Sequence, residues 1–208
     1  IVPKDLEQRI AKSWAKHAPR LKALPTVTAD KYDARELGLV GPIKNQGNCG
    51  SCYTFSAVGP VETAYVKAGH GKPEALAMAE QLLLDCYNVG GCGGGWPEEC
   101  AAIAKEKGLI LSSDYGPYQA RSSTCKAGNH KRWRIDDYGF VGSSSGVPSA
   151  QKIKDAMVKY GPISVCVAAD NALSNYRGGV FKGNGRSINH AVMLVGWYEK
   201  DGKTIWIM

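Results

Sequence analysis

The spacing of apolar residues changes period part-way along this chain, and that change limits the folds open to it. Residues 5–22 place Leu6, Ile10, Trp14 and Leu21 near helical spacing, with Lys and Arg between them. Pro19 is expected to disturb the last turn of that helix. Leu24–Thr28 reads as extended, and a Gly-rich loop over 44–54 ends at Cys52, where a helix begins and runs to about Ala68. Pro60 removes a backbone donor inside that helix, so a kink or early stop is expected there. Further helices are expected over about Glu74–Leu84 and Pro97–Lys107, the second closed by Gly108 as a left-handed cap. After a Ser-rich loop at Ser143–Ser145, Ser149–Tyr160 repeats Ile153, Ala156, Met157 and Tyr160 on one face and ends at Gly161-Pro162. The pattern then becomes strand-like. Ile163–Ala169, Ala191–Trp197 and Thr204–Met208 are apolar, β-branched runs, and Lys200-Asp201-Gly202 is a good hairpin turn between the last two. Helices first and strands last indicate two lobes of different type in an α+β chain.

Several function classes are disfavoured. No run of about 18 apolar residues exists to span a membrane. The formal charge is +7, but the longest basic cluster, His130-Lys131-Arg132-Trp133-Arg134, is short and stands alone. A solvated basic face accounts for it better than a nucleic-acid partner. Seven cysteines stand at 49, 52, 86, 92, 100, 125 and 166, an odd number that leaves at least one thiol unpaired within the chain. Four of them (49, 86, 92 and 125) lie in loops or at element ends, where covalent staples are useful, and this favours an oxidising compartment.

The segment Asn45-Gln46-Gly47-Asn48-Cys49-Gly50-Ser51-Cys52-Tyr53-Thr54-Phe55-Ser56 carries the strongest chemical signal. Cys52 opens a helix, where unpaired N–H groups and the positive dipole end favour a thiolate. Gln46 lies across a flexible loop from it, able to aim its side-chain amide at the space before the Cys52 N–H. Two converging donors of this kind stabilise the oxyanion of acyl transfer. Of the four histidines, His190 is the one at an element end facing a plausible cleft, and a cysteine and histidine on opposite walls form a thiolate–imidazolium pair. The bland readings are a structural thiol, a Cys49–Cys52 redox pair or a zinc site. The redox pair calls for a preceding strand that the pattern lacks. A zinc site calls for paired knuckles that are absent, and no metal or cofactor is expected.

Here the chain resembles the papain-like cysteine peptidases. Cys49-Gly50-Ser51-Cys52-Tyr53 matches the papain/cathepsin signature, with His190 standing 138 positions downstream, inside the expected interval. Leu82–Cys86, Gly91–Pro97, Tyr176–Phe181 and Asn189–Val192 match in order, from about Leu24 onward. The resemblance implies a two-lobed fold with a helical lobe over about 36–140 and a β-barrel-like lobe over about 141–208. Residues 1–23 are then a pro-segment remnant or an N-terminal helical arm. It further implies Cys52 as nucleophile, His190 as general base and acid, and Gln46 as oxyanion donor. Gly94 and Gly95 pair with the substrate backbone, and Trp96, Pro97, Cys166, Ile188 and Ala191, with Asn189 beside them, line the substrate pocket. By family pattern Cys49 bonds Cys92 and Cys86 bonds Cys125, leaving Cys52, Cys100 and Cys166 over. The implied activity is a thiol endopeptidase acting on peptides or proteins as a monomer in a secreted, periplasmic or lysosomal/vacuolar setting. The competing reading is a non-catalytic binding or inhibitory relative. The family's imidazole-orienting Asn is expected directly after Met208, supplied by a following segment that also covers the strand Thr204–Met208.

Overall fold

In the computed structural model, which describes residues 3–183, 185 and 187–208, helix α1 spans Leu6–Lys22 and buries Leu6, Ile10 and Ala18. Pro19 leaves the last turn closed, because the Ala23 N–H still reaches the Pro19 carbonyl at 3.1 Å. Side-chain ion pairs at two levels link α1 to helix α4 (Pro97–Glu106). Arg9 pairs with Glu98 at 2.7 Å, and seven residues further along both helices Lys16 and Lys105 grip Asp137 at 2.6 and 2.7 Å. His17 joins them through Nε2, 2.9 Å from the same carboxyl. Burial pushes the Asp137 carboxyl up, but hydrogen bonds from Lys105, Lys16 and His17 outweigh it and hold the group well below the usual carboxylate range. A depressed carboxylate contributes its stability above its unfolded value and loses it only as pH falls through the folded one, so this clamp persists in mild acid.

Helix α2 (Cys52–Lys67) continues past Pro60 to the expected end near Ala68, so the early stop does not occur. Tyr53, Val58 and Val61 along its length are buried with Leu82, Leu83 and Leu109 in the main core, and that burial outweighs one lost backbone bond. The helix expected over Glu74–Leu84 is broken instead. A 3₁₀ turn covers Pro73–Leu76, and α3 begins only at Glu80 and ends at Cys86. Between them the Met78 N–H donates to Glu62 Oε1 at 2.7 Å and the Ala79 N–H to the Ile110 carbonyl at 2.9 Å. Tertiary acceptors have replaced the i−4 carbonyls of a helix. Gly108 does take the left-handed cap position, at φ 76°, with its N–H on the Ile103 carbonyl. One short helix follows it in sequence, α5 (Ser112–Tyr115).

The back of the chain holds α6 (Ala150–Tyr160), capped by the Ser149 hydroxyl, and a short α7 (Asn171–Ser174). Five strands are present among the described residues: β1 (Lys31–Asp33), β2 (Ile163–Val167), β3 (His190–Leu194), β4 (Gly196–Lys200) and β5 (Lys203–Ile207). They form two antiparallel sheets, β1-β4-β5 and β2-β3. The single run expected at Ala191–Trp197 is therefore two strands that part at Val195 and join different sheets. Gly196 permits the crossing, since a Cβ there would lie 2.2 Å from the Tyr32 carbonyl. Because the run changes sheets, the described strands form two small open sheets and no closed barrel, which corrects the barrel-like expectation. Leu24–Thr28 joins neither sheet. Side chains of α6 bind its backbone, Asp155 accepting from Val27 N and Gln151 donating to Val27 O. The β4–β5 hairpin turns as expected, with Asp201 at φ 51° and Gly202 at φ 68°. Trp206 on β5 packs edge-on against the buried Trp197, 6.4 Å between centroids, so one face of that strand is covered.

The two parts of the molecule meet along one seam. The Ser56 hydroxyl on α2 lies 2.9 Å from the Val192 carbonyl of β3 and 2.5 Å from Ser164 Oγ of β2. At Gly59, a Cβ would come within 2.6 Å of the Met193 sulfur, so α2 lies directly on the β2–β3 ribbon. Replacing Ser56 by Ala strands the Val192 carbonyl in the interior. The expected cost is about 1–3 kcal/mol, read as a lower urea midpoint at unchanged slope; an unaltered midpoint would show that the seam does not depend on this hydroxyl.

Candidate active site

Cys52 is the first residue of α2, unpaired and half-buried, with Ser51 at the N-cap position. The loop before it is fastened on several sides. Cys49 is bonded to Cys92, and the Gly50 N–H donates to the Cys92 carbonyl at 3.0 Å. A Cβ at Gly50 would fall 2.7 Å from that same carbonyl, so only glycine lets the two loops lie this close. The second bridge, Cys86–Cys125, ties α3 to the loop that follows Tyr118. Both pairings match those the family pattern implies, and the first removes Cys49 from any redox partnership with Cys52. Tyr118 donates its phenol to the Gln46 carbonyl at 2.9 Å and accepts from Ser51 Oγ at 2.5 Å. Gln46 donates one amide hydrogen to the Cys49 carbonyl at 2.9 Å, which leaves its second amide hydrogen for another acceptor. The first N–H groups of a helix have no i−4 carbonyl, so those of Cys52 and Tyr53 are available at the same place.

His190 is the first residue of β3 and is half-buried. Its level relative to Cys52 follows from the seam. Cys52 lies one helical turn before Ser56, a rise of about 6 Å, and His190 lies two strand residues before Val192, a rise of about 7 Å. Since Ser56 and Val192 are bonded, and Gly59 and Met193 meet further along, the two elements run together and their first residues end at the same edge. Burial lowers the imidazole's affinity for a proton, which favours the neutral ring as a base. The other three histidines are elsewhere: His17 on Asp137, His70 against Tyr65 and His130 in an exposed loop.

The remaining candidates are placed as follows. Cys166 faces Ala191 across the β2–β3 ladder, one step from His190, and both pack on the main core beside Cys52. Burial, and secondarily the neighbouring Cys52, pushes the Cys166 thiol up. Cys100 is 1% exposed and its thiol is pushed up much further, by burial first and Glu99 second. Gly94 is exposed at φ 102° with open space where a Cβ would be, whereas one at Gly95 would strike the Val89 carbonyl at 2.1 Å. The buried Tyr53 hydroxyl donates to the Gly91 carbonyl at 2.9 Å and holds this Gly-rich loop beside Cys52. Trp96 and Pro97 start α4 at its far end. Ile188 is 55% exposed. Asn189 turns away from the imidazole: its side chain bonds both backbone groups of Ala169 at 2.7 and 2.8 Å. Sequence reasoning missed Tyr118, which lies 66 positions from Cys52 in a segment without periodic signal.

A model of the papain family of cysteine proteases matches residues 28–208, and the chain belongs to that family. It is 34% identical over 197 residues to a maize (Zea mays) cysteine proteinase, covering 91% of this chain and 53% of that protein. It is 33% identical over 207 residues to a digestive cysteine proteinase of the lobster Homarus americanus, covering 93% and 62%. Among solved structures, a digestive procathepsin L2 proteinase from Tenebrio molitor larval midgut superposes with a TM-score of 0.81 at 29% identity, covering 99% of this chain and 65% of that one. A Carica candamarcensis cysteine protease solved with E-64 superposes with a TM-score of 0.70 at 33% identity, covering 86% and 88%. The chain thus spans little more than half the length of the curated relatives it matches.

The environments of the three unpaired thiols order their reactivity. Iodoacetamide at slightly acid pH is expected to modify Cys52 first, Cys166 slowly and Cys100 only after unfolding, since the thiolate is the attacking form. Peptide mapping checks this, and preferential labelling of Cys100 or Cys166 would contradict the ordering.

Proposed function

We propose that the protein is a cysteine endopeptidase that hydrolyses peptide bonds through an acyl-enzyme, with Cys52 and His190 as its reacting pair. The observation that carries this reading is an unpaired thiol at the first residue of α2, held level with the first residue of β3 by the Ser56–Val192 bond. His190 takes the Cys52 proton, and the sulfur attacks the scissile carbonyl carbon. The carbonyl electron pair moves onto oxygen, which accepts hydrogen bonds from Gln46 Nε2 and the Cys52 N–H. Collapse breaks the C–N bond as imidazolium protonates the leaving amine. His190 then draws a proton from water, whose oxygen attacks the thioester and releases the acid and the thiol.

Gly94 and Gly95 offer backbone to an extended substrate, with Trp96, Pro97, Cys166, Ile188, Asn189 and Ala191 around the side-chain pocket. Two disulfides and the acid-resistant Asp137 clamp suit a secreted or lysosomal/vacuolar setting. Residues 1–23 act as a remnant of a pro-segment rather than part of the catalytic unit, with α1 tied to α4 by Arg9–Glu98 and by the Asp137 cluster. The alternative of a non-catalytic family member is disfavoured by the presence of both Cys52 and His190.

Cys52→Ala should abolish cleavage of a peptidyl-amide substrate while leaving the unfolding midpoint nearly unchanged. His190→Ala should lower kcat by at least about 100-fold, because the two residues act as a unit. Either variant retaining a tenth of wild-type turnover would defeat the assignment. Deleting residues 1–23 should preserve or raise that turnover; collapse of the fold on deletion would make α1 an integral element instead.

A further inference from the structure

Two largely buried carboxylates share one cation whose stem reaches in from the surface, ahead of the nucleophile, and the peptidase chemistry just described does not use them. Lys44 Nζ lies 2.7 Å from Glu62 Oε1 on α2 and 2.7 Å from Glu80 Oε1 at the start of α3. The side chains are 29%, 12% and 5% exposed for Lys44, Glu62 and Glu80. Glu62 Oε1 also accepts the Met78 N–H, so the oxygen joins three segments at one point. Burying two like charges with one partner is costly, and a fold's stability could be met more simply by apolar residues of similar size. What the triad does supply is direction. It ties a loop to a fixed place on the helix that carries Cys52.

That loop has no regular structure between Ile43 and Cys52. The Ile43 side chain stands wholly in solvent, and Lys44 beside it ties this end of the loop to α2 and α3 through its ammonium. The Cys49–Cys92 bridge fixes the other end. Gln46 sits between these two anchors, its conformation set by the Asn45 turn (Asn45 Oδ1 accepting from Gly47 N at 2.8 Å) and by the Tyr118 contact to its carbonyl. A donor aimed from an irregular loop keeps its aim only if both ends of the loop are held.

We propose that Lys44 is a positioning residue: through its ion pairs with Glu62 and Glu80 it holds Gln46 in place as the oxyanion donor beside Cys52. This rests on the nucleophile and oxyanion roles given above. Burial disfavours the Lys44 ammonium, but Glu80 and Glu62 outweigh it and keep the charge in place. Burial raises Glu62 above the usual carboxylate range despite Lys44 and the Met78 N–H, and Glu80 adds to the rise only in last place.

The test uses the full-length protein and compares two reactions of the same thiol. Hydrolysis of a peptidyl-amide builds an oxyanion, whereas alkylation by iodoacetamide displaces iodide and builds none. Lys44→Met is expected to lower kcat for the amide about 10- to 100-fold and to weaken binding of a peptide aldehyde, whose hemithioacetal carries the same oxyanion. Cys52 alkylation should stay within about 2-fold of wild type, and Lys44→Arg should restore most of the hydrolysis. Equal losses in hydrolysis and alkylation would overturn the proposal in favour of general destabilisation, and so would no loss in either. If Lys44→Met does not fold, Lys44→Met/Glu80→Gln removes the excess buried charge and carries the same pair of readouts. A wild-type Cys52 that resists iodoacetamide while the fold is intact would instead remove the nucleophile reading, and this proposal with it.

Discussion

The contact between α2 and the β2–β3 ribbon is the constraint on which the rest of the molecule depends. A helix and a two-stranded ribbon have different rises per residue and different side-chain periods, so they can be held level only where specific groups meet. Here the Ser56 hydroxyl satisfies a β3 carbonyl and a β2 hydroxyl at once, and one turn later Gly59 leaves just enough room for the Met193 sulfur. Neither element has a free choice of height on the other. The first residue of each, Cys52 and His190, is placed at one edge as a consequence.

Around that seam the local architecture solves a problem of irregular backbone. The segments that flank Cys52, 44–51 and 90–95, contain no strand, and their polar groups must be satisfied by partners distant in sequence. Glycine makes this possible where it is needed. At Gly50 and Gly95 a Cβ would strike a carbonyl of the facing loop, and their absence of a side chain lets two backbones touch. The Cys49–Cys92 bridge, the Tyr53 phenol and the Tyr118 phenol then hold what glycine has brought together. Charge is used at longer range: Asp137 gathers Lys16, His17 and Lys105 to bind α1 to α4, and Lys44 joins α2 to α3. These are clusters rather than isolated surface pairs, and it is in clusters, partly buried, that ion pairs define geometry.

Much of this was legible from the residues in order. The change from helical to strand-like spacing identified an α+β chain, Gly108 and Gly161 marked helix ends, and Lys200-Asp201-Gly202 marked the hairpin, because each of these depends on a residue's own backbone preference. The signature around Cys52 and the placement of His190 named the family, and comparison with known proteins agreed. The failures share one cause. Glu74–Leu84 was expected to be one helix and Ala191–Trp197 one strand. In both cases a partner far along the chain outweighed the local tendency: Glu62 and Ile110 for Met78 and Ala79, and the Tyr32 carbonyl for Gly196.

The sequence by itself determined the kind of elements, the family and the reacting residue types, since these follow from periodicity, turn chemistry and short motifs read one window at a time. Tertiary structure alone decided that Cys52 and His190 share an edge, that the Gln46 backbone is held by Tyr118, and that Asn189 turns toward Ala169 instead of the imidazole. Such relations join residues tens to more than a hundred positions apart. Nothing in a local window carries their distances, because those are set by how whole elements pack and not by the preference of any one residue.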